Sequence, residues 1–368
     1  MSENVQIKPA QSFARVLRLD TPWHRFRVNT PLLNGQAAFV LLSLLFIAFG
    51  AMFLPNPNLL TLTAVIQLLM FCGLSMCFAL AAHTIAKFAQ TRSVEKTIEH
   101  TFHVLMKRDN LVRALSTMLL VGVFMFTFPS FKSHIPVINP FVWDASIANF
   151  DRTIHFGHTP WKLIAAVTGY GDFTVKIDQL YYLWFPVIFT STAAVALIPG
   201  QNAWRHRYLL SFVMAWILIG SIMAAAFSSA GPIYYDRLHG GVSEFTPLIA
   251  HLEGVNAQSA LRTLIIRDQL WETYINASNG VVSSISAMPS MHNAICVLMF
   301  LAARHAGTVL KWLAAVFALT IFIGSVHLGW HYATDGYVSA LIVMGIWKFT
   351  GWHAKRTTKP LQCASFIA

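Results

Sequence analysis

Charge is what this sequence has least of. Only 11% of its 368 residues are Asp, Glu, Lys or Arg, whereas 56% are hydrophobic; water-soluble domains carry about 25% charged residues. A chain so poor in charge cannot cover itself for water, so lipid is implied as its main solvent. Cysteine is sparse too. Of Cys72, Cys77, Cys296 and Cys363, three lie in apolar runs and one near the C-terminus, which excludes a disulfide framework and offers no zinc spacing. No internal repeat or low-complexity tract is evident, nor an interrupted pair of inverted helices of the kind many transporters carry. The first 35 residues are polar and basic, with no short apolar stretch ahead of a small-residue cleavage site, so no cleavable signal peptide is expected.

What the sequence has in quantity is long apolar runs. Runs near the ~18–20 residues that cross a bilayer as a helix predict eight spans, at about 36–54, 59–82, 111–130, 177–199, 207–227, 290–306, 308–330 and 336–352. The expected fold class is therefore an all-α polytopic membrane protein. A basic tail (1–35) precedes two helices and a basic, amphipathic segment (83–110) expected to rest on the membrane surface. Region 111–352 holds the other six spans and two long outer loops, 131–176 and 228–289; a short tail (353–368) follows.

A net charge of +11 is common to nucleic-acid-binding proteins, but its distribution here points to topology. With the N-terminus in the cytoplasm, only Lys132, Arg152, Lys162, Lys176, Arg237, Arg262 and Arg267 of the 26 Lys and Arg residues fall outside, leaving nineteen within. That asymmetry is what the positive-inside rule predicts. Cytoplasmic termini and outward-facing long loops are expected, with anionic headgroups rather than nucleic acid as the basic face's partner. The cell's inner membrane is the expected location.

Two stretches then meet at the outer boundary. "SAMPSMHNAIC" (286–296) opens a span with Pro289 and Ser290 and places His292 in its first turn. "GSVHLGWHYATDGY" (324–337) carries His327, His331 and Asp335 at i, i+4 and i+8. If the second stretch is one helix, those three share a face; if Gly329 and Gly336 break it, Thr334 or Asp335 caps the last helix. Either way a carboxylate comes within reach of an imidazole. One histidine can attack phosphorus while the aspartate holds its far ring nitrogen protonated, and a second histidine can protonate the leaving oxygen. A helix N-terminus beginning Pro-Ser suits an anionic phosphate, with Ser290 as cap or phosphate contact. A lone membrane histidine is more often a structural hydrogen-bonder; two histidines and an aspartate at this spacing point to function. "HFGH" (155–158) lacks a third ligand, so no metal is expected there.

"MPSMH" followed by "HLGWHYATD" resembles the signature of the type 2 phosphatidic acid phosphatase superfamily, P-S-x-H and then H-x-x-x-D. The W-H-Y-x-x-D form is most similar to the inositol phosphorylceramide synthase branch, as are "DRTIHFGHTPW" (151–161), "YYLWF" (181–185) and "GPIYY" (231–235). The resemblance covers roughly 110–350. It implies a six-helix core made of spans three to eight, with the first two helices additional, and a site that uses neither metal nor cofactor. It also implies His331 as nucleophile, Asp335 as its orienting carboxylate and His292 as acid for the leaving group. The phosphatase branch's lysine-arginine motif is not evident, and Ser325 stands where that branch has an arginine. Another cation must then neutralise phosphate: Arg237, Arg262, Arg267 and Lys176 are outward candidates, and His327 can help when protonated.

The function so implied is transfer of a phospho-headgroup from a lipid phosphate to a lipid alcohol, through a phosphohistidine. Hydrolysis of a lipid phosphate or polyprenyl diphosphate is the alternative within the superfamily. A haem-binding or transport protein is the alternative of another class; paired haem ligands would be expected deep in a bundle rather than at its edge.

Overall fold

The structure is a computed structural model and describes residues 35–54, 61–169, 171–199, 202–276 and 285–357. Most of both expected tails, and residues 277–284 of the second outer loop, lie outside the described residues. Among the described residues every regular element is helical, and five helices are long and apolar enough to cross a membrane.

Helix α1 spans Gly35–Phe53. Helix α2 spans Leu62–Thr91, with the Thr61 side chain accepting from the Ala64 N–H at its start. It runs well past the predicted end at 82, because residues 83–91 contain neither glycine nor proline, and it stops at Arg92 in a left-handed conformation (φ 51°). Only a short part of the expected surface segment remains separate: α3, Val94–Glu99, capped by Ser93, and a π-helical turn His100–Leu105.

Helix α4, Arg108–Ile138, outruns the predicted 111–130 despite Pro129 and Pro136 within it. Membrane helices tolerate proline, and the helix runs through both; between them Ser133 Oγ donates to the Ser130 carbonyl at 2.8 Å and the His134 ring bonds the same oxygen at 2.7 Å. The rest of the first outer loop is largely helical, as α5 (Asp144–Ile154) and α6 (Pro160–Thr168). The predicted span 177–199 is two helices, α7 (Asp172–Tyr182) and α8 (Trp184–Ala196), meeting at Leu183. Pro186 explains the break: it has no N–H for the Tyr182 carbonyl, and its ring would clash with that carbonyl in a continuous helix.

Helix α9, Ala203–Ile217, continues through a π-helical turn (Leu218–Met223) to Ala226. The second outer loop contains α10 (Thr246–Asn256) and α11 (Arg262–Ile275). Helices α12 (Met291–Ala303), α13 (Thr308–His327) and α14 (Ala333–Thr357) complete the fold.

Helix α12 is the axis of the bundle. It packs on α8, α9, α13 and α14, and nine of its 13 residues are buried. At about 1.5 Å per residue it is roughly 20 Å long, shorter than the ~30 Å hydrocarbon layer. An all-round apolar helix of that length is a protein-enclosed strut. Helices α1 and α2 brace the other side: α1 lies on α4 and α9, and α2 on α4 and α8. Phe46 of α1 stacks on Phe131 of α4, with ring centroids 3.9 Å apart. The far end of α4 is thereby held against the bundle, next to the residues that meet there.

Candidate active site

Helix α12 begins at Ser290, whose hydroxyl accepts from the Asn293 backbone N–H (3.3 Å) and side-chain amide (3.0 Å). This cap places His292 in the first turn, where its ring lies between Trp184 (centroids 4.1 Å apart) and Tyr181 (4.9 Å, stacked). The Trp184 indole N–H also donates to the His292 carbonyl at 3.1 Å. "YYLWF" is therefore the wall that holds His292, and the break at Leu183 turns it toward α12.

The stretch 324–337 is not one helix. Helix α13 ends at His327, and Gly329 takes a positive φ of 76°. The broken alternative is the one adopted. His331 sits in the junction, with its N–H on the Ser325 carbonyl at 3.0 Å. Its Nδ1 lies 3.2 Å from Asp335 Oδ2. The same oxygen accepts the Tyr332 N–H at 3.1 Å. Tyr332 is the residue before α14 and Asp335 the third within it, so the carboxylate completes half of a capping box while it holds His331.

That geometry gives H-x-x-x-D its physical reason: one side chain closes the helix end and fixes the ring. Because the carboxylate can only accept, Nδ1–H is the donor and the His331 lone pair is on Nε2. The His292 ring centroid is 6.0 Å from that of His331. At this junction, burial drives His331 well below the ordinary histidine range, to about 3, and the Lys132 charge adds to it. A neutral ring is what a nucleophile needs.

Lys132 is a residue the sequence reading overlooked. It stands near the end of α4, and its ammonium acts electrostatically on both His292 and His331. No carboxylate among the described residues pairs with it. Lys132 lies two residues beyond the predicted span 111–130, on the part of α4 that continues to Ile138. The expected phosphate ligands fall elsewhere. Arg237 is in an ion pair with Asp268 at 2.7 Å, and Arg267 is buried between Asp268 (2.9 Å) and Glu253 (3.2 Å). Arg262 lies over the Tyr182 ring. His327 Nε2 bonds the Thr174 hydroxyl at 2.9 Å, and the His251 ring meets that hydroxyl from its other side at 2.8 Å. Ser290 is next to the catalytic candidates: its N–H contacts the Asp335 carbonyl at 3.4 Å.

Three buried aspartates, unforeseen from sequence, assemble this end of the bundle by the same device. Asp151 accepts from the N–H groups of Ala333 (3.1 Å) and Thr334 (2.9 Å) at the start of α14. Asp178 accepts from those of Arg262 and Thr263, both at 3.0 Å, at the start of α11. Asp144 accepts from Ala230 (2.8 Å) and Gly231 (2.9 Å), and also from the Tyr332 hydroxyl (2.8 Å). Gly231 has φ 94°, and a Cβ there would lie 2.6 Å from the Trp330 carbonyl. Only glycine lets "GPIYY" approach the histidine junction this closely. A small cavity of about 10 Å³ lies beside His331, between Asp151, Thr159, Trp161, Phe245 and Tyr332.

The profile of the PAP2 superfamily matches residues 145–349, more than half of the chain. The chain belongs to the PAP2 superfamily. Membership supports a lipid phosphatase or phosphotransferase activity. No curated protein and no solved structure matches the chain. In this PAP2 protein the matched region contains Ser290, His292, His331 and Asp335, whereas Lys132 precedes it. The cation facing the two histidines is thus supplied from outside the recognised domain.

Proposed function

We propose that this PAP2 protein is a metal-independent lipid phosphotransferase that moves a phospho-headgroup onto a lipid alcohol through a phosphohistidine on His331. The observation that carries the reading is the His331 Nδ1 to Asp335 Oδ2 contact of 3.2 Å beside the His292 ring. In the first half-reaction the Nε2 lone pair attacks phosphorus. The bond from phosphorus to the leaving oxygen breaks, and His292, protonated once the anionic phosphate lies beside it, gives that oxygen its proton. Asp335 stabilises the charge left on His331, and Lys132 offsets the phosphoryl oxygens. In the second half-reaction an alcohol oxygen attacks phosphorus, the P–N bond breaks, and His292 takes the alcohol's proton.

Three "inositol phosphorylceramide synthase-like" stretches have structural roles that support this branch. "DRTIHFGHTPW" contributes Asp151, "YYLWF" contributes Trp184, and "GPIYY" contributes Gly231. Transfer is also favoured by the site's seclusion: His331 is 6% exposed and Asp335 fully buried, a setting that disfavours bulk water as acceptor. Hydrolysis shares the first half-reaction and is the second reading. The basic asymmetry supports cytoplasmic termini in the inner membrane, with the site facing the periplasm or exterior. Incubating the protein with a headgroup-labelled lipid phosphate, with and without a lipid alcohol, tests the reading. Label on the alcohol, in the presence of EDTA, is the expected result; label released only as the water-soluble phosphate would replace transfer by hydrolysis.

A further inference from the structure

At the other end of α4 from Lys132, two arginines reach one carbonyl, neither of them in an ion pair among the described residues. Arg113 is in the second turn of α4 and Arg205 in the first turn of α9; nineteen helical residues, about 28 Å, separate Arg113 from Lys132. Arg205 is 1% exposed and the neighbouring His206 4%, while Arg113 is half-buried. Arg205 Nη1 and Arg113 Nη2 both reach toward a single acceptor, the Ile198 carbonyl past the end of α8, each at 3.4 Å. Arg113 also bonds the Asn110 side-chain oxygen. Arg205 Nη2 donates to His206 Nε2 at 2.9 Å; arginine only donates, so that imidazole is the acceptor and neutral.

Neither guanidinium is in an ion pair among the described residues, and the Nε of each is buried with no hydrogen-bond partner. Asp109 acts on Arg113 only from the exposed face of the first turn. Arg207, two residues on, shows the contrast: it stacks on Trp347 (3.8 Å) and donates to the Trp347 carbonyl at 2.6 Å. Burial of unpaired charge is among the costliest arrangements a protein adopts, and the neutral acceptors Ile198, Asn110 and His206 supply no counter-charge. Two like charges in low dielectric focus their field toward the edge that meets solvent or headgroups, which here is Arg113.

We propose that Arg113 and Arg205 form an anion site for a phosphate oxyanion, distinct from the histidine site. A guanidinium edge matches phosphate oxygens two at a time. The site sits on the face that holds Lys107, Arg108 and Arg207, where basic pockets between membrane helices take anionic headgroups. The ligand is carried by an anionic phospholipid or is free phosphate; the chemistry recognised is the same.

The test uses the full chain, delipidated in detergent, and follows retained ligand by native mass spectrometry and stability by thermal unfolding. Phosphatidylglycerol, phosphatidylcholine and inorganic phosphate are added in separate arms. The expected result is one phosphatidylglycerol held per chain in preference to phosphatidylcholine, with a raised unfolding temperature. His331→Asn is expected to keep this ligand, since the site is remote from the histidines, and Arg113→Gln to lose about tenfold or more in affinity. Stabilisation by inorganic phosphate alone, lost in Arg113→Gln, would assign the free anion as the source. The proposal is overturned if the wild-type chain shows no preference among the three ligands, or if Arg113→Gln binds as wild type does. The ligand preference of the wild type decides the matter even where a variant folds poorly.

Discussion

Asp151 and Thr334 are 183 residues apart in sequence, yet the carboxylate of one closes the helix that contains the other. Asp151 Oδ1 accepts from both the N–H (2.9 Å) and the hydroxyl (2.6 Å) of Thr334, and Oδ2 accepts from the Ala333 N–H at 3.1 Å. With Asp335 taking the Tyr332 N–H, the opening donors of α14 are all satisfied. Helix α14 therefore starts where Asp151 lets it start, and the His331–Asp335 contact inherits that position.

Asp151→Ala leaves two buried backbone N–H groups and a hydroxyl without their acceptor. Stability is expected to fall by about 2 kcal/mol or more. Activity should fall chiefly in kcat, because the proposed nucleophile His331 is displaced. Thermal unfolding together with steady-state kinetics checks this, and a variant that loses stability but retains full kcat would show that α14 holds the site unaided.

The roles of the two histidines separate on leaving group. His331→Asn should abolish reaction with every substrate, and Asp335→Asn should leave a trace, since a ring without its carboxylate is left in the wrong tautomer; the loss for the corresponding substitution in a serine protease is about 10⁴-fold. His292→Ala should lose most of its activity on the natural lipid but far less on a nitrophenyl phosphate ester, whose leaving group needs little protonation. Equal losses on the two substrates would remove His292 as the acid.

Lys132→Met removes the cation that faces both rings. A drop of about a hundredfold in kcat/KM is expected, of the size seen when one preorganised charge-stabilising donor is deleted. Lys132→Arg should restore part of it, because charge matters more here than shape. An unchanged rate in Lys132→Met would return the phosphate-neutralising role to the loop arginines.

Topology is accessible to thiol labelling. Val242 is 90% exposed in the second outer loop, and Val242→Cys should react with an impermeant reagent on intact cells. Arg92→Cys, at the end of α2, should react only after permeabilisation. The opposite pattern would invert the orientation and place the histidine site on the cytoplasmic side.

Much of this protein could be read from short-range pattern. Apolar length alone marks the helices that lie against lipid, because a span must satisfy its own backbone hydrogen bonds and therefore shows as a continuous run. His292, His331 and Asp335 were legible because each sits within a few residues of a helix end, where capping chemistry leaves a local signature. Helix ends were less legible. The predicted span 111–130 stops short of α4, which continues through Pro129 to Ile138, and the predicted span 177–199 is broken beside Pro186. Whether a proline ends a helix depends on how that helix is packed, which no local window contains.

What the sequence by itself determined is the membrane-spanning helical class and the pairing of His331 with Asp335, since lipid solvation and the i, i+4 spacing both act over one helix or one turn. The tertiary structure alone decided which cation faces the pair, which aspartates close α11 and α14, and where His327 turns. Lys132, Asp144, Asp151 and Asp178 come from helices distant in sequence. Their partners are backbone N–H groups or imidazole rings, and a backbone group has no residue identity for a sequence to display. Only packing α4, α5 and α7 against the junction before α14 brings those charges to atoms that need them.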